Sequence, residues 1–289
     1  MENIIEVSNL RKYYKTVKAV DDISFQVKTG EILGFLGPNG AGKSTMMKII
    51  TGYIPASSGS VIVNGIETSA DNLEIRKKIG YLPENNPLYP EMYVREYLKF
   101  AASLYKTGKS AGKKIDHIIE VTGLAPEQKK KIGSLSKGFR QRVGLAQALI
   151  HDPDVLILDE ATTGLDPNQV VEIRNLIRET GREKTVMLST HIMQEAEAVC
   201  DRIIIIDKGV IVADEKKDDI YSKIRVPRQI IRVEFDRDPG EPALLTIPNV
   251  IITNHIKKNQ WLIEAEGKDD IRPAVFSFAV RNNLTVLSL

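Results

Sequence analysis

The chain has 289 residues, of which 42% are hydrophobic and 27% are charged, enough for a large domain with a buried core and a smaller domain beside it. The formal net charge of +2 gives no general electrostatic reason to bind nucleic acid or an anionic membrane, and the single cysteine excludes an internal disulfide. No apolar run approaches the roughly 18 residues of a membrane span, and the N-terminus lacks the layout of a signal peptide. We therefore expect a cytoplasmic chain that would reach a membrane only by binding a partner.

Short apolar runs alternate with turn residues over the first part of the chain. They predict strands in "IIEVSNL", "VDDISFQV" and "GEILGFLG". The third strand leads through "PNGAGKST" into a helix, and Gly52 suits the position just after that helix. The dipeptide Asn64-Gly65 predicts a hairpin turn between two further strands.

The middle of the chain turns helical from about 93 to 149, and strands and helices then alternate. Buried strands are predicted in "VLILDE" and "TVMLST", helices in "PNQVVEIRNLIRET" and "MQEAEAVC", and a hairpin turn at Lys208-Gly209. This order predicts an α/β fold with a parallel core, an antiparallel β subdomain and a helical subdomain at about 85–150.

The pattern changes near the end of the chain. Four predicted strands and one helix indicate a small α+β domain at 220–289, following a larger domain at 1–219. The charged stretch "ADEKKDD" predicts an exposed break between the two.

The glycine-rich segment "GPNGAGKS" fits the pattern G-x-x-x-x-G-K-[ST] and lies between a predicted strand and a predicted helix. Glycines there let backbone N–H groups wrap phosphate oxygens at a helix N-terminus. A chance glycine turn is the alternative, but the strand and helix flanks favour nucleotide binding. The predicted contacts are Gly37, Pro38, Asn39, Gly40, Ala41, Gly42, Lys43, Ser44 and Thr45, with the Ser44 hydroxyl also a ligand of Mg²⁺.

Two adjacent acids, Asp159 and Glu160, end an apolar strand. Such a pair is costly unless a cation or a proton meets it, although solvated acids at a strand end are the plain alternative. Beside a phosphate loop, Asp159 is predicted to hold Mg²⁺ and Glu160 to polarise the attacking water. His191 follows the next strand and is predicted to sense the γ-phosphate rather than merely to cap a helix.

The motifs "GPNGAGKST", "LSKGFRQR", "LILDEATTGLD" and "STH" stand in the order seen in ATP-binding subunits of ABC transporters, which residues 2 to 215 resemble. Within that family, "GYLPENNPLYPEMYVREYL" and "TTGLDPNQ" are most similar to the gliding-motility ATP-binding subunit and related ABC-2 type exporter subunits. The resemblance implies ATP hydrolysis by two chains, expected to be a homodimer, that enclose two ATP molecules and drive transmembrane permease subunits at the inner face of the membrane.

The resemblance also assigns further positions. Tyr14 matches the aromatic residue that stacks on adenine, with Tyr13 as the fallback, and Asp166 matches a loop between the two nucleotide sites. Ser136 and Gly138 would meet the γ-phosphate of an ATP held by the other chain, although an ordinary capped helix is the alternative there.

The chain departs from the family pattern at three places. Glu84 stands where many members have a glutamine that touches Mg²⁺ and the attacking water; a carboxylate can also bind Mg²⁺. Ala161 replaces the proline after the catalytic glutamate, which removes no reacting group. "LSKGF" replaces the reference form LSGGQ and adds a cation at Lys137.

Three other functions fit the phosphate loop less well. Relatives that act on nucleic acid or ribosomes tend to carry two cassettes or long coiled-coil arms, and this chain shows neither, so no nucleic acid is expected. A switch that scarcely hydrolyses ATP conflicts with Glu160, and a small-molecule kinase would not need "LSKGF".

Overall fold

The computed structural model describes residues 2–69, 72–105, 111–224, 228–267 and 269–289. The chain divides into two compact units, Met1–Lys217 and Asp218–Leu289. The first half of the larger unit contains β1 (Asn3–Tyr14), β2 (Val17–Lys28), β3 (Ile32–Leu36), α1 (Lys43–Ile50), β4 (Ser58–Val63), β5 (Ile66–Glu67), α2 (Leu73–Lys78), β6 (Ile79–Leu82), α3 (Val94–Leu104) and α4 (Ala111–Val121).

The chain continues with α5 (Lys137–Leu149), β7 (Val155–Asp159), α6 (Pro167–Gly181), β8 (Thr185–Thr190), α7 (Met193–Val199), β9 (Arg202–Asp207) and β10 (Val210–Lys216). Helix α8 (Lys217–Ile224) begins where the two units divide. The smaller unit then contains β11 (Arg228–Phe235), α9 (Glu241–Leu244), β12 (Val250–Lys257), β13 (Gln260–Glu266), α10 (Arg272–Arg281) and β14 (Val286–Ser288). None of the helices in these described ranges is long and apolar enough to cross a membrane.

A six-stranded sheet positions the glycine-rich loop and the acidic strand end of the larger unit. Its order is β10-β9-β3-β8-β7-β6, and all neighbours are parallel except β10 and β9. Every residue of β3, β7 and β8 is buried, which explains their continuous apolar sequences. The register pairs Leu36 with Thr190 and Asp159 with Ser189. The carboxyl ends of these three strands therefore meet at one edge of the sheet.

A four-stranded antiparallel sheet, ordered β2-β1-β4-β5, shares a hydrophobic core with α1 and the six-stranded sheet. Its last hairpin turns at Asn64 and Gly65, both left-handed with φ of 50° and 73°, as the sequence predicts.

The helical subdomain has a core of its own. Helices α3, α4 and α5 bury one cluster of apolar side chains, to which α3 contributes Val94, Tyr97, Leu98 and Ala101. The α/β fold with an antiparallel β subdomain and a helical subdomain is thus confirmed.

The smaller unit is an antiparallel sheet of order β12-β13-β11-β14 covered on one face by helix. Along β13 every second side chain is buried, and Trp261, Ile263 and Ala265 pack in one core with Phe235 and Phe278. This alternation is what a sheet with one covered face requires.

The stretch "ADEKKDD" contains the division between the two units, at Lys217 and Asp218, but it is not a break in regular structure. Strand β10 extends to Lys216 and α8 begins at Lys217, so the stretch is strand and then helix. The acids Asp218 and Asp219 lie in the first turn of α8, where negative charge is favourable against the helix dipole. Sequence analysis also missed α2, β6 and α9, which are short elements of 6, 4 and 4 residues.

Acid should destabilise the larger unit through His151. Its ring stacks on Tyr105 at a centroid distance of 3.9 Å, and its Nε2 lies 3.2 Å from the Ile79 carbonyl oxygen. Its Nδ1 is buried without a partner among the described residues. Burial, ahead of repulsion from Lys184, lowers the pKa of His151 from 6.5 to about 4. The unfolded chain therefore binds more protons between these two values, and stability is lost as the pH falls from 6.5 toward 4.

The measurement is the melting temperature across that pH window for the native chain and for His151→Phe. Phenylalanine keeps a ring to stack on Tyr105 but cannot be protonated, so its melting temperature should fall less steeply. Because every other titrating group is shared, equal slopes for the two proteins would contradict this account.

Candidate functional site

The loop 37–42 joins β3 to α1 and is packed closely against neighbouring backbone. A Cβ on Gly37 would lie 2.2 Å from the Ile206 carbonyl oxygen, and a Cβ on Gly42 would lie 2.4 Å from that of Ala19. Gly42 also has a φ of 109°, which side chains rarely adopt. Only glycine fits these two positions. The loop therefore delivers the free N–H groups of the first turn of α1 to the sheet edge, an arrangement suited to anions.

Lys43 is a buried cation at the start of α1, with 4% of its surface exposed. Its Nζ donates to the carbonyl oxygens of Gly37 at 2.8 Å and of Pro38 at 3.1 Å, and lies 3.4 Å from Glu160 Oε1. The loop thus holds the ammonium group directly beside the acidic end of β7.

Ser44 and Asp159 meet across the site, as the sequence analysis expects. The Ser44 hydroxyl donates to Asp159 Oδ1 at 3.0 Å, and the Ser189 hydroxyl donates to the same oxygen at 2.6 Å. The Asp159 side chain is buried, with only 1% of its surface exposed. A buried carboxylate and a hydroxyl at this separation form an oxygen-rich position of the kind that Mg²⁺ prefers.

Glu160 has a strained backbone and three polar neighbours. Its φ is 50°, in the left-handed region, and its backbone N–H donates to the Ser189 hydroxyl at 3.0 Å. The Thr163 hydroxyl donates to Glu160 Oε2 at 2.9 Å, and His191 Nδ1 lies 3.3 Å from the same oxygen.

These neighbours control the ionisation of Glu160. Burial alone would raise the pKa of its carboxyl group, but the Thr163 hydroxyl, the Lys43 ammonium and the His191 imidazole together hold that pKa below its usual value. Glu160 is therefore ionised at neutral pH and can accept a proton.

A cavity of about 340 Å³ opens over the loop. It is lined by Ala19, Asn39, Gly40, Gly42, Lys43, Ser44, Thr45, Glu84 and Glu160. Glu84 is an exposed residue between β6 and α3, and the fold brings its carboxylate to the same cavity as the phosphate-loop residues.

Three other predicted residues lie at two helix starts of the same chain. Ser136 caps α5 and accepts from the Phe139 N–H, while Asp166 caps α6 and accepts from the Gln169 N–H at 2.9 Å. A Cβ on Gly138 would lie 2.5 Å from the Gln169 side chain, so the two helix starts pack together. Ser136, Gly138 and Asp166 do not line the cavity over their own chain's loop. Their predicted contact with a nucleotide requires a second chain.

Tyr14 is at the end of β1, and 48% of its surface is exposed. The Lys12 ammonium lies 5.2 Å from the centroid of its ring, and Tyr13 is also exposed. The ring is available for stacking but does not line the cavity over the loop. Its contact with adenine stays a prediction.

Sequence analysis missed two hydroxyl residues of the site, Thr163 and Ser189. Both contact the acidic pair, Thr163 through the Glu160 side chain and Ser189 through Asp159. The signal for Ser189 is its place near the end of a buried strand, two residues before His191, where a hydroxyl side chain needs a polar partner.

Comparison with known proteins gives a consistent result. The family model described as "ABC transporter" matches residues 20–163. The linearmycin resistance ATP-binding protein of Bacillus subtilis is 38% identical over 76% of this chain and 72% of its own length. The bacitracin transport ATP-binding protein of Bacillus licheniformis is 37% identical over 78% of this chain and 74% of its own length.

A solved structure has the same fold. It is a dimeric ATP-binding cassette in a post-hydrolysis state bound to ADP and Pi, with 28% identity and a TM-score of 0.68 over 74% of this chain and 98% of that one. The extent of these matches, together with the phosphate loop and the acidic end of β7, shows that the chain belongs to the ABC transporter family and is an ATP-binding, ATP-hydrolysing subunit.

Proposed function

We propose that two copies of this chain enclose two ATP molecules in shared sites and that their hydrolysis drives transmembrane permease subunits in export. The observation that supports this most directly is the group formed by Lys43, Ser44, Asp159, Glu160 and His191 at the ends of three adjacent strands. It joins a phosphate-binding cation, a position for Mg²⁺ and an ionised base.

The phosphate loop would bind the β- and γ-phosphates. Lys43 would exchange its bonds to loop carbonyl oxygens for charge-assisted bonds to phosphate, and the N–H groups of Gly42, Lys43 and Ser44 at the start of α1 would donate to the same anion. Ser44, Asp159 and Glu84 would hold Mg²⁺, which when bound neutralises charge on the transferred phosphoryl group.

Glu160 would act as the general base. Its lowered pKa keeps the carboxylate ionised, so it can take a proton from a water molecule that attacks the γ-phosphate. Thr163 and His191 both contact Oε2 and so fix the orientation of the carboxylate. His191, whose side chain is 37% exposed, can also meet the γ-phosphate.

The second chain would complete each site. The start of α5 presents the Ser136 hydroxyl, free N–H groups and the helix dipole to solvent, and Lys137 adds a positive charge. In this arrangement Ser136 and Gly138 meet the γ-phosphate of the other chain's ATP, and Asp166 lies between the two sites.

An aromatic patch on the helical subdomain suits a permease. We define it as Tyr89, Tyr93, Phe100 and Leu104, of which the last three share one face of α3. The Tyr89 and Phe100 rings are 5.9 Å apart, and all four side chains are exposed. Clustered exposed apolar side chains mark protein interaction sites.

The double variant Tyr89→Lys and Phe100→Lys should no longer bind the permease, and its ATPase site should stay intact. The measurement is the yield of multi-spanning membrane proteins that co-purify with the tagged chain from detergent-solubilised membranes, alongside the ATPase rate of the isolated chain. Val212→Lys is the matched control, since this apolar side chain is exposed elsewhere, on β10. Equal co-purification by the double variant and the control would contradict the proposed docking surface.

The relatives narrow the class of substrate only in outline. Two of them are named for linearmycin resistance and bacitracin transport, which supports export of an antibiotic-like compound. The narrower resemblance to a gliding-motility subunit stays a prediction. The alternative of a soluble ATPase that acts on nucleic acid or ribosomes is not favoured by these relatives.

A further inference from the structure

A buried carboxylate outside the proposed machinery links two of its segments. Glu195 lies in the first turn of α7, and 7% of its surface is exposed. Its Oε2 accepts from the Thr162 hydroxyl at 2.6 Å and from the Thr190 hydroxyl at 2.8 Å. Arg174 of α6 lies 4.0 Å from the other oxygen, Oε1. Burying a carboxylate is costly, so these contacts are needed to retain it.

The two threonines are the chain neighbours of the two residues that hold Glu160. Thr162 precedes Thr163, whose hydroxyl donates to Glu160 Oε2 at 2.9 Å. Thr190 precedes His191, whose Nδ1 lies 3.3 Å from that same oxygen. Glu195 Oε2 therefore binds Thr162 and Thr190, and the residue that follows each of them contacts Glu160 Oε2.

The sheet holds one of the two segments, since Thr190 is the last residue of β8, whereas the segment with Thr162 follows the end of β7. Thr162 and Thr163 belong to the turn between β7 and α6, and His191 is in the bend between β8 and α7. Thr190 also accepts from the Ile192 N–H at 3.1 Å, which fixes the chain on the far side of His191. The shared carboxylate thus ties the turn after β7 directly to the carboxyl end of β8.

We propose that Glu195 is a positioning residue for ATP hydrolysis: by holding Thr162 and Thr190 together, it sets the positions of Thr163 and His191 and so the orientation of the Glu160 carboxylate. This inference rests on the proposed role of Glu160 as the base. It predicts that loss of the tie lowers the rate of hydrolysis and leaves ATP affinity unchanged, because neither threonine lines the cavity over the phosphate loop.

The test is the matched pair Thr162→Val and Thr162→Ser. Valine has the shape of threonine without the hydroxyl, whereas serine keeps the hydroxyl and loses only a methyl group. Thr162→Val should lower kcat by about 10-fold, less than the roughly 10²-fold that a 1 Å misplacement can cost, because Thr190 still holds Glu195. KM for ATP should stay the same, and Thr162→Ser should restore most of the native kcat.

Two controls separate positioning from general stability. Thr180→Val makes the same chemical change on α6, where the hydroxyl donates to the Leu176 carbonyl oxygen, and should leave kcat unchanged. Glu195→Leu removes both bonds and should lower kcat at least as much as Thr162→Val. If it fails to fold, the threonine variants still decide.

The decisive measurement combines Thr162→Val with Glu160→Gln. If Glu195 acts through Glu160, Thr162→Val should cause no further loss in the single-turnover rate once Glu160 is gone. The inference is overturned if Thr162→Val hydrolyses ATP at the native rate, or if it lowers the rate equally with and without Glu160. Native turnover by Glu160→Gln alone would instead refute the proposed function, so the two failures are distinguishable.

Discussion

Replacement of Glu160 by glutamine should lower turnover by about 10² or more, the usual contribution of a general base, and leave ATP binding intact. Glutamine keeps the size of the side chain and can still accept from the Thr163 hydroxyl, but it cannot take a proton from water. ATP should therefore accumulate in a closed dimer. The measurements are steady-state phosphate release and the ratio of dimer to monomer in the presence of ATP.

Lys43→Ala is the contrasting variant. It removes the buried ammonium that would contact the β- and γ-phosphates, so binding itself should be lost in a titration with fluorescent ATP. Turnover by Glu160→Gln at the native rate, or tight nucleotide binding by Lys43→Ala, would refute the corresponding role.

A heterodimer with two defects should show whether each site is shared between chains. Suppose that Lys43 of one chain faces Ser136 of the other. With Lys43→Ala and Ser136→Arg on the same chain, each of the two sites loses one component and hydrolysis should vanish. With the two changes on opposite chains, both defects fall in one site and the other stays intact. Arginine at Ser136 blocks the approach to the γ-phosphate sterically.

The two arrangements exchange outcomes if each site is built within a single chain. The same-chain heterodimer would then retain one intact site, and the opposite-chain heterodimer would have none. ATPase rates of the two purified heterodimers decide between these cases. We expect shared sites because Ser136, Gly138 and Asp166 do not line the cavity over the loop of their own chain.

Much of the fold could be predicted because its main elements carry strong local patterns. The buried strands β3, β7 and β8 have apolar centres, and the Asn64-Gly65 turn needs left-handed backbone that asparagine and glycine supply. The short elements α2, β6 and α9 were missed because four to six residues give too few periods to distinguish a pattern.

The site could be predicted in part. Lys43, Ser44, Asp159 and Glu160 belong to motifs with a fixed spacing, and parallel strands bring their carboxyl ends together. The roles of Thr163 and Glu195 could not be found this way. Each acts through a side-chain contact, and the partner of Glu195 at Thr162 is 33 residues away in the chain. The local periodicity of a sequence does not indicate a pairing between residues so far apart.

The left-handed backbone of Glu160, with a φ of 50°, bears on how this enzyme can evolve. For a residue other than glycine this conformation costs about 1 kcal/mol or more, and glycine or asparagine would relieve most of it. Either replacement would also remove the carboxylate that lies beside the buried Lys43 ammonium and accepts from the Thr163 hydroxyl, and breaking a buried charge pair costs more than the strain returns. The strained backbone and the charge pair are thus inherited together, and few neutral substitutions are open to evolution at this position.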